Sequence, residues 1–82
     1  MDFTLSDHAR KRLVQRGIDI AWIARTLMQP TVTENDANDP NLAHALLSIP
    51  ERGFRVLRVI YNESNDPVTV VTAYFDDKVK NV

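Results

Sequence analysis

The chain has 82 residues, 44% of them hydrophobic and 26% charged, with no cysteine. This describes one small soluble domain and excludes disulfides, thiolate metal sites and a cysteine nucleophile. The formal net charge of −1 argues against a protein that coats nucleic acid indiscriminately, since such binding rests on many phosphate contacts.

That charge is unevenly spread. Residues 1–30 carry five Lys/Arg against three Asp, and residues 31–53 carry one Arg against four acids. The first segment leaves room for a localised basic site. No apolar run approaches the roughly 18 residues of a membrane span, and MDFTLSD lacks the basic-then-apolar pattern of a secretory leader, so the expected location is the cytoplasm.

In chain order, the first element is a helix over residues 6–16. Ser6 is a good N-cap, and Asp7 stands where the helix dipole favours an acid. Leu5, Ala9 and Leu13 form its apolar stripe, and Gly17 supplies a left-handed C-terminal residue that lets Ile18 fold back on Leu13. Asp19 then caps a second helix over 20–28, with Ile20, Ile23, Ala24 and Leu27 facing a core and Pro30 ending it. After Pro30 the period changes to two. TVTE is a weak strand, ENDANDPN a polar loop, and LAHALLSI a strand for which helix remains a rival. IPERGF reads as a hairpin turn between that segment and FRVLRVIYN, and NESNDP as a turn before PVTVVTAYF. These last two segments are rich in β-formers.

The order ααββββ predicts one α+β domain over residues 1–82, two N-terminal helices packed on a four-stranded antiparallel sheet. The ordered core spans about 4–76, followed by a charged tail, 77–82, that frays. Both faces of FRVLRVIYN are mainly apolar, which calls for a partner, a groove or a homodimer on the face away from the helices.

Chemistry concentrates in SDHARKRLVQRG. His8, Lys11, Arg12 and Gln15 share an arc of the first helix, and Arg16 borders the buried stripe. Basic residues beside a core stripe are commonly a solvated face with buried stems. Arg58 lies between Val56 and Ile60 in the best strand, where a charge must be paired, exposed or useful. Thr72 and Tyr74 share one face of the last strand, as ordinary strand formers often do. His8 and His44 show no metal-ligand spacing, no GxxxxGK[ST] or GxSxG motif occurs, and the residues call for no metal and no cofactor.

SDHARKRLVQRGI, FRVLRVIYN and VTVVTAYFD, in that order, resemble the small bacterial domains grouped as domain of unknown function 4258, over roughly residues 4–76. Those domains are similar to the barnase–EndoU–colicin–RelE ribonuclease and toxin group, which places N-terminal helices before an antiparallel sheet. The resemblance implies a ribonuclease-like or toxin-like domain acting on RNA without metal. His8, Arg12, Arg58 and Thr72 would be its catalytic set, with Arg16 and Tyr74 binding substrate. His8 would move protons at the 2′-hydroxyl or the leaving 5′-oxygen while the arginines hold phosphate. An antitoxin or immunity-type protein is the partner such a toxin implies. The alternatives are a non-catalytic RNA- or protein-binding module of the same fold and a structural homo-oligomer. The net charge departs from the basic character of a free RNA-degrading toxin.

Overall fold

The structure, a computed structural model, describes residues 1–80 and 82. Both helices form where the caps place them. α1 (Asp7–Arg16) begins at Ser6, whose hydroxyl accepts the Ala9 N–H at 3.0 Å. It ends at Gly17, whose φ of 62° turns the chain so that the Ile18 N–H reaches the Leu13 carbonyl. That is the fold-back read from the sequence, and it buries Ile18 against Leu13. α2 (Ile20–Met28) is capped by Asp19, which accepts the Ala21 N–H. Ile23 and Leu27 are buried as expected, but Ile20 stands 54% exposed. Thr26 takes a core place instead, its hydroxyl satisfied by the Trp22 carbonyl one turn back.

The sheet differs from the expectation in one strand. It has five strands rather than four, and it is mixed rather than antiparallel throughout. β1 (Phe3–Leu5) precedes the helices and pairs in parallel with β5 (Val68–Phe75), through Phe3 with Val68 and Leu5 with Val70. Three residues are too few for an alternation to declare itself, and Leu5 also fits the stripe of the helix that follows. Along the chain between them come β2 (Val32–Asn35), β3 (Leu42–Ile49) and β4 (Arg55–Asn62), and the spatial order is β1-β5-β4-β3-β2. LAHALLSI is therefore a strand, and its helical rival is set aside. Its pairing with β4 runs without slippage from Leu42 opposite Asn62 to Ile49 opposite Arg55.

The helices cover one face. Ala9, Leu13, Ile23 and Leu27 meet Ala45, Ile49, Leu57, Val59, Val70 and Ala73, with Phe3, Trp22 and Phe75 packed at the margin. Strand alternation then sends Val56, Arg58 and Ile60 to the other face, together with His44, Leu46 and Ser48 of β3. Leu46 and Val56 are nonetheless only 2% exposed, so the chain itself shields part of the face for which a partner or groove was expected. The tail contributes. Its Val79 borders a hollow with Val56, the Ser48 hydroxyl donates to the Val82 carbonyl, and Asp77 pairs with Arg55. Asp77, Val79 and Val82 of the tail thus lie against the sheet, and the expectation for residue 81 lies outside the described residues. No helix among them is long and apolar enough to cross a membrane.

Candidate nucleic-acid interface

The C-terminal end of α1 delivers Arg16 to the outer edge of β5. β1 stops opposite Val70, which leaves the second half of that edge without a strand partner. Side chains take over. The Ser6 hydroxyl lies 3.4 Å from the Val71 carbonyl, and Arg16 Nη1 donates to the Ala73 carbonyl at 2.7 Å. Such capping blocks further strand pairing. The same guanidinium sits 3.5 Å from the Thr72 hydroxyl and over the Tyr74 ring, 5.9 Å from its centroid.

A second supply of arginine comes from the β3–β4 hairpin. Pro50–Arg52 form a short 3-10 turn, closed by the left-handed Gly53 at φ 67°. The turn places Arg52 against Trp22 and Phe75, at 5.8 and 5.4 Å from their centroids, and starts β4 with Arg55 4.6 Å over Phe75. Trp22 and Phe75 meet edge to face, which steadies the platform beneath the cations. Arg16, Arg52, Arg55, Tyr74 and Phe75 together line a cleft of about 290 Å³. Arg55 shares its charge with Asp77 through two 3.0 Å bonds. Arg16 and Arg52 have no carboxylate partner among the described residues. The cleft therefore carries unneutralised positive charge on aromatic walls, the combination that receives phosphates and bases.

The opposite sheet face holds a different constellation. Arg58 Nε donates to Asp76 at 2.9 Å, and its Nη1 donates to Glu34 at 2.8 Å. Burial works against its charge, but the two carboxylates outweigh that cost and raise its pKa. Nη1 also lies 2.8 Å from His44 Nδ1, and His44 Nε2 lies 2.7 Å from Asp36 Oδ1. An arginine only donates, so Nδ1 is the acceptor, and the ring proton on Nε2 goes to Asp36. His44 and the backbone N–H groups of Asn38 and Asp39 hold the Asp36 carboxyl below its ordinary value. Both His44 nitrogens are occupied, and Arg58 is held by two carboxylates, Glu34 and Asp76, with Asp36 joined to it through His44. This arrangement ties β2, the loop after it, β3, β4 and the end of β5 together and offers no net positive charge to a phosphate. Among the described residues no three His, Cys, Asp or Glu side chains are gathered as metal ligands.

The residues singled out in the sequence thus divide into three places. Arg16, Thr72 and Tyr74 come together at the β5 edge. Arg58 stands opposite Tyr74 in the β4–β5 register but gives its guanidinium to the carboxylate network. His8 is exposed on α1 with no hydrogen-bond partner among the described residues, and Arg12 donates to Gln15 on the same helix. The structure does not gather His8 with Arg58, because α1 packs on the face that holds Leu57 and Val59.

Two parts escaped the sequence reading. Arg52, Arg55 and Phe75 lay in segments read as a turn and as strand ends, where only the closure of the hairpin shows what they approach. In the sequence His44 stands out only as a possible metal ligand without a partner at the right spacing. The signal for it was present, since a turn pairing Ile49 with Arg55 places His44 opposite Ile60 and diagonal to Arg58.

No curated protein and no solved structure matches the chain. Residues 5–75, most of its length, match the family described as Domain of unknown function (DUF4258), and the chain belongs to that family.

Proposed function

We propose that this domain binds single-stranded RNA, holding its phosphates with Arg16, Arg52 and Arg55 while Tyr74 and Phe75 meet sugar or base. The observation that carries the reading is the cleft itself. Two arginines without carboxylate partners among the described residues and a third shared with Asp77 stand over aromatic rings at one end of the sheet. In a chain of net charge −1, such local concentration suits a defined site better than general coating of nucleic acid. In this reading RNA is preferred over other polyanions on the resemblance of SDHARKRLVQRGI, FRVLRVIYN and VTVVTAYFD to the barnase–EndoU–colicin–RelE group.

The test is fluorescence anisotropy with a 5′-fluorescein-labelled dodecauridylate across a salt series. Three phosphate contacts give a slope of log K against log salt of about −2 for a single strand. Replacing Arg16 and Arg52 by Gln should weaken binding and bring the slope to about −1. Absence of binding by the wild type, or a slope that the double substitution leaves unchanged, would remove the reading.

A second reading is metal-independent cleavage of the bound strand. Its support is His8, whose ring nitrogens are unoccupied among the described residues and which shares α1 with Arg12 and Arg16. In that reading His8 takes the 2′-hydroxyl proton as the 2′-oxygen attacks phosphorus, and the 5′-oxygen leaves as the bond from phosphorus breaks, taking a proton from water. Against it, eight residues of helix separate His8 from Arg16 by about 12 Å along the axis, more than one phosphodiester spans. Under this reading a toxin-like role and an antitoxin or immunity-type partner follow. Under the binding reading they do not.

A further inference from the structure

Phe54 is a large apolar residue that the fold does not use. It is 68% exposed, and its φ is +63°, the left-handed region that L-residues with a bulky side chain avoid. Glycine or asparagine meets the same backbone requirement without strain, as Gly53 does one residue earlier at φ 67°. The turn is firmly closed around it. The Phe54 N–H donates to the Ile49 carbonyl at 2.9 Å and the Gly53 N–H to the Pro50 carbonyl at 3.1 Å. The ring is therefore displayed on a fixed backbone at a conformational cost, with no core contact in return. Strain held in this way points to a use for the side chain.

Its surroundings say which use. Phe54, Arg55, Val56 and Lys80 border a hollow of about 410 Å³, and Arg55 belongs equally to the cleft of Arg16 and Arg52. The two depressions share Arg55, which is paired to Asp77, with Arg16 and Arg52 in one and Lys80 and the exposed ring in the other. We propose that Phe54 is a stacking platform for an unpaired base of single-stranded RNA, with Arg52 and Arg55 on the neighbouring phosphates. This rests on the RNA-binding reading of the same cleft and adds how bases, rather than phosphates alone, are engaged. A flat apolar ring beside point cations fits a strand with splayed bases, whereas duplex RNA keeps its bases stacked inside.

The experiment uses the full chain and the labelled dodecauridylate, with three substitutions at one position. Phe54→Asn, which accepts the left-handed backbone, should raise Tm by a few degrees yet weaken binding about tenfold. Its salt slope should stay at the wild-type value, because stacking releases no counterions. Phe54→Leu should also lose affinity, and Phe54→Trp should keep it, separating an aromatic face from mere bulk. Wild-type binding that depends on Arg16 and Arg52 but is indifferent to Phe54→Asn overturns the stacking proposal alone. Absence of wild-type binding overturns both readings. A fall in Tm with Phe54→Asn would show that the ring supports the fold, and would overturn the proposal unless Trp retained and Leu lost affinity at equal Tm.

Discussion

Arg58 Nη1 lies 2.8 Å from His44 Nδ1, one strand away on the sheet face opposite the helices, and this contact decides which ring nitrogen holds the proton. With Nδ1 accepting from a permanent donor, Nε2–H is left to Asp36 at 2.7 Å. The expected observation is the Nε2–H tautomer in long-range ¹H–¹⁵N correlation spectra at neutral pH. Detection of Nδ1–H would show that Arg58 is turned away in solution.

Removing the cation from this network should be costly. The Arg58 side chain is 12% exposed and Asp76 only 15%, so Arg58→Met leaves Asp76 shielded from water without its counter-charge. Full burial of such a pair makes its disruption cost about 3–5 kcal/mol, and partial exposure brings that to about 2 kcal/mol. In a domain of this size the loss corresponds to a fall in Tm of roughly 10 °C. A change of only a degree or two would place Arg58 among ordinary surface ion pairs. The substitution should leave RNA affinity largely intact, because Arg58 offers no free charge to phosphate.

Acid should weaken the fold through carboxylates whose native pKa values lie below their usual ones. Arg25 grips Glu51 through two bonds of 2.9 and 2.7 Å and brings its carboxyl from 4.5 to about 2. His44, with two backbone N–H groups, lowers Asp36 from 3.8. A depressed carboxyl stabilises the native state fully above its unfolded value and loses that contribution as pH falls toward its folded value. Tm should therefore be flat above about pH 5 and decline from there toward pH 2. Glu51→Gln should shallow the decline, and an unaltered profile would mean that the Arg25 pair is screened out by solvent.

Much of this fold follows from short-range rules. Ser6, Gly17, Asp19 and Pro30 bracket both helices because each satisfies or removes specific backbone groups, and such signals need no knowledge of the tertiary structure. The two β-rich segments near the end declare themselves by composition. β1 does not, since its three residues acquire a partner only when β5, over sixty residues later, arrives beside it. The candidate site is legible in the same measure. Arg16, Thr72 and Tyr74 could be singled out, yet their meeting at the β5 edge depends on where β1 stops. Arg58 could be recognised as a charge in need of partners, but those partners come from β2, β3 and the end of β5, which only the sheet order brings together.

Gly17 offers a test of the local rule without the site. Its φ is +62°, and a Cβ there would meet nothing within 4 Å. Gly17→Ala should therefore cost only the conformational penalty, about 1 kcal/mol, or roughly 5 °C in Tm. A larger loss would mean that the Gly17 turn also sets the packing of Ile18 against α1.

His8 separates the two functional readings most sharply. It is exposed, lacks a hydrogen-bond partner among the described residues, and precedes Ala9, whose burial anchors this turn of α1 without help from the imidazole. His8→Ala should leave Tm within about 2 °C of the wild type, since solvent-facing substitutions of this kind stay within about 0.5 kcal/mol. Under the binding reading, a mixed RNA pool incubated with wild-type protein in EDTA stays intact. His8→Ala then binds dodecauridylate as the wild type does, because the phosphates rest on Arg16 and Arg52, about two helical turns away and on the hairpin. Cleavage by the wild type that disappears with His8→Ala, at unchanged Tm, would instead make the exposed imidazole the acid–base group. The arginine cleft would then be the part of the site that holds the strand for it. Cleavage that survives the substitution would assign the chemistry to neither residue set and favour a contaminating nuclease, which a protein purified with Arg16 and Arg52 both replaced would reveal by cutting equally well.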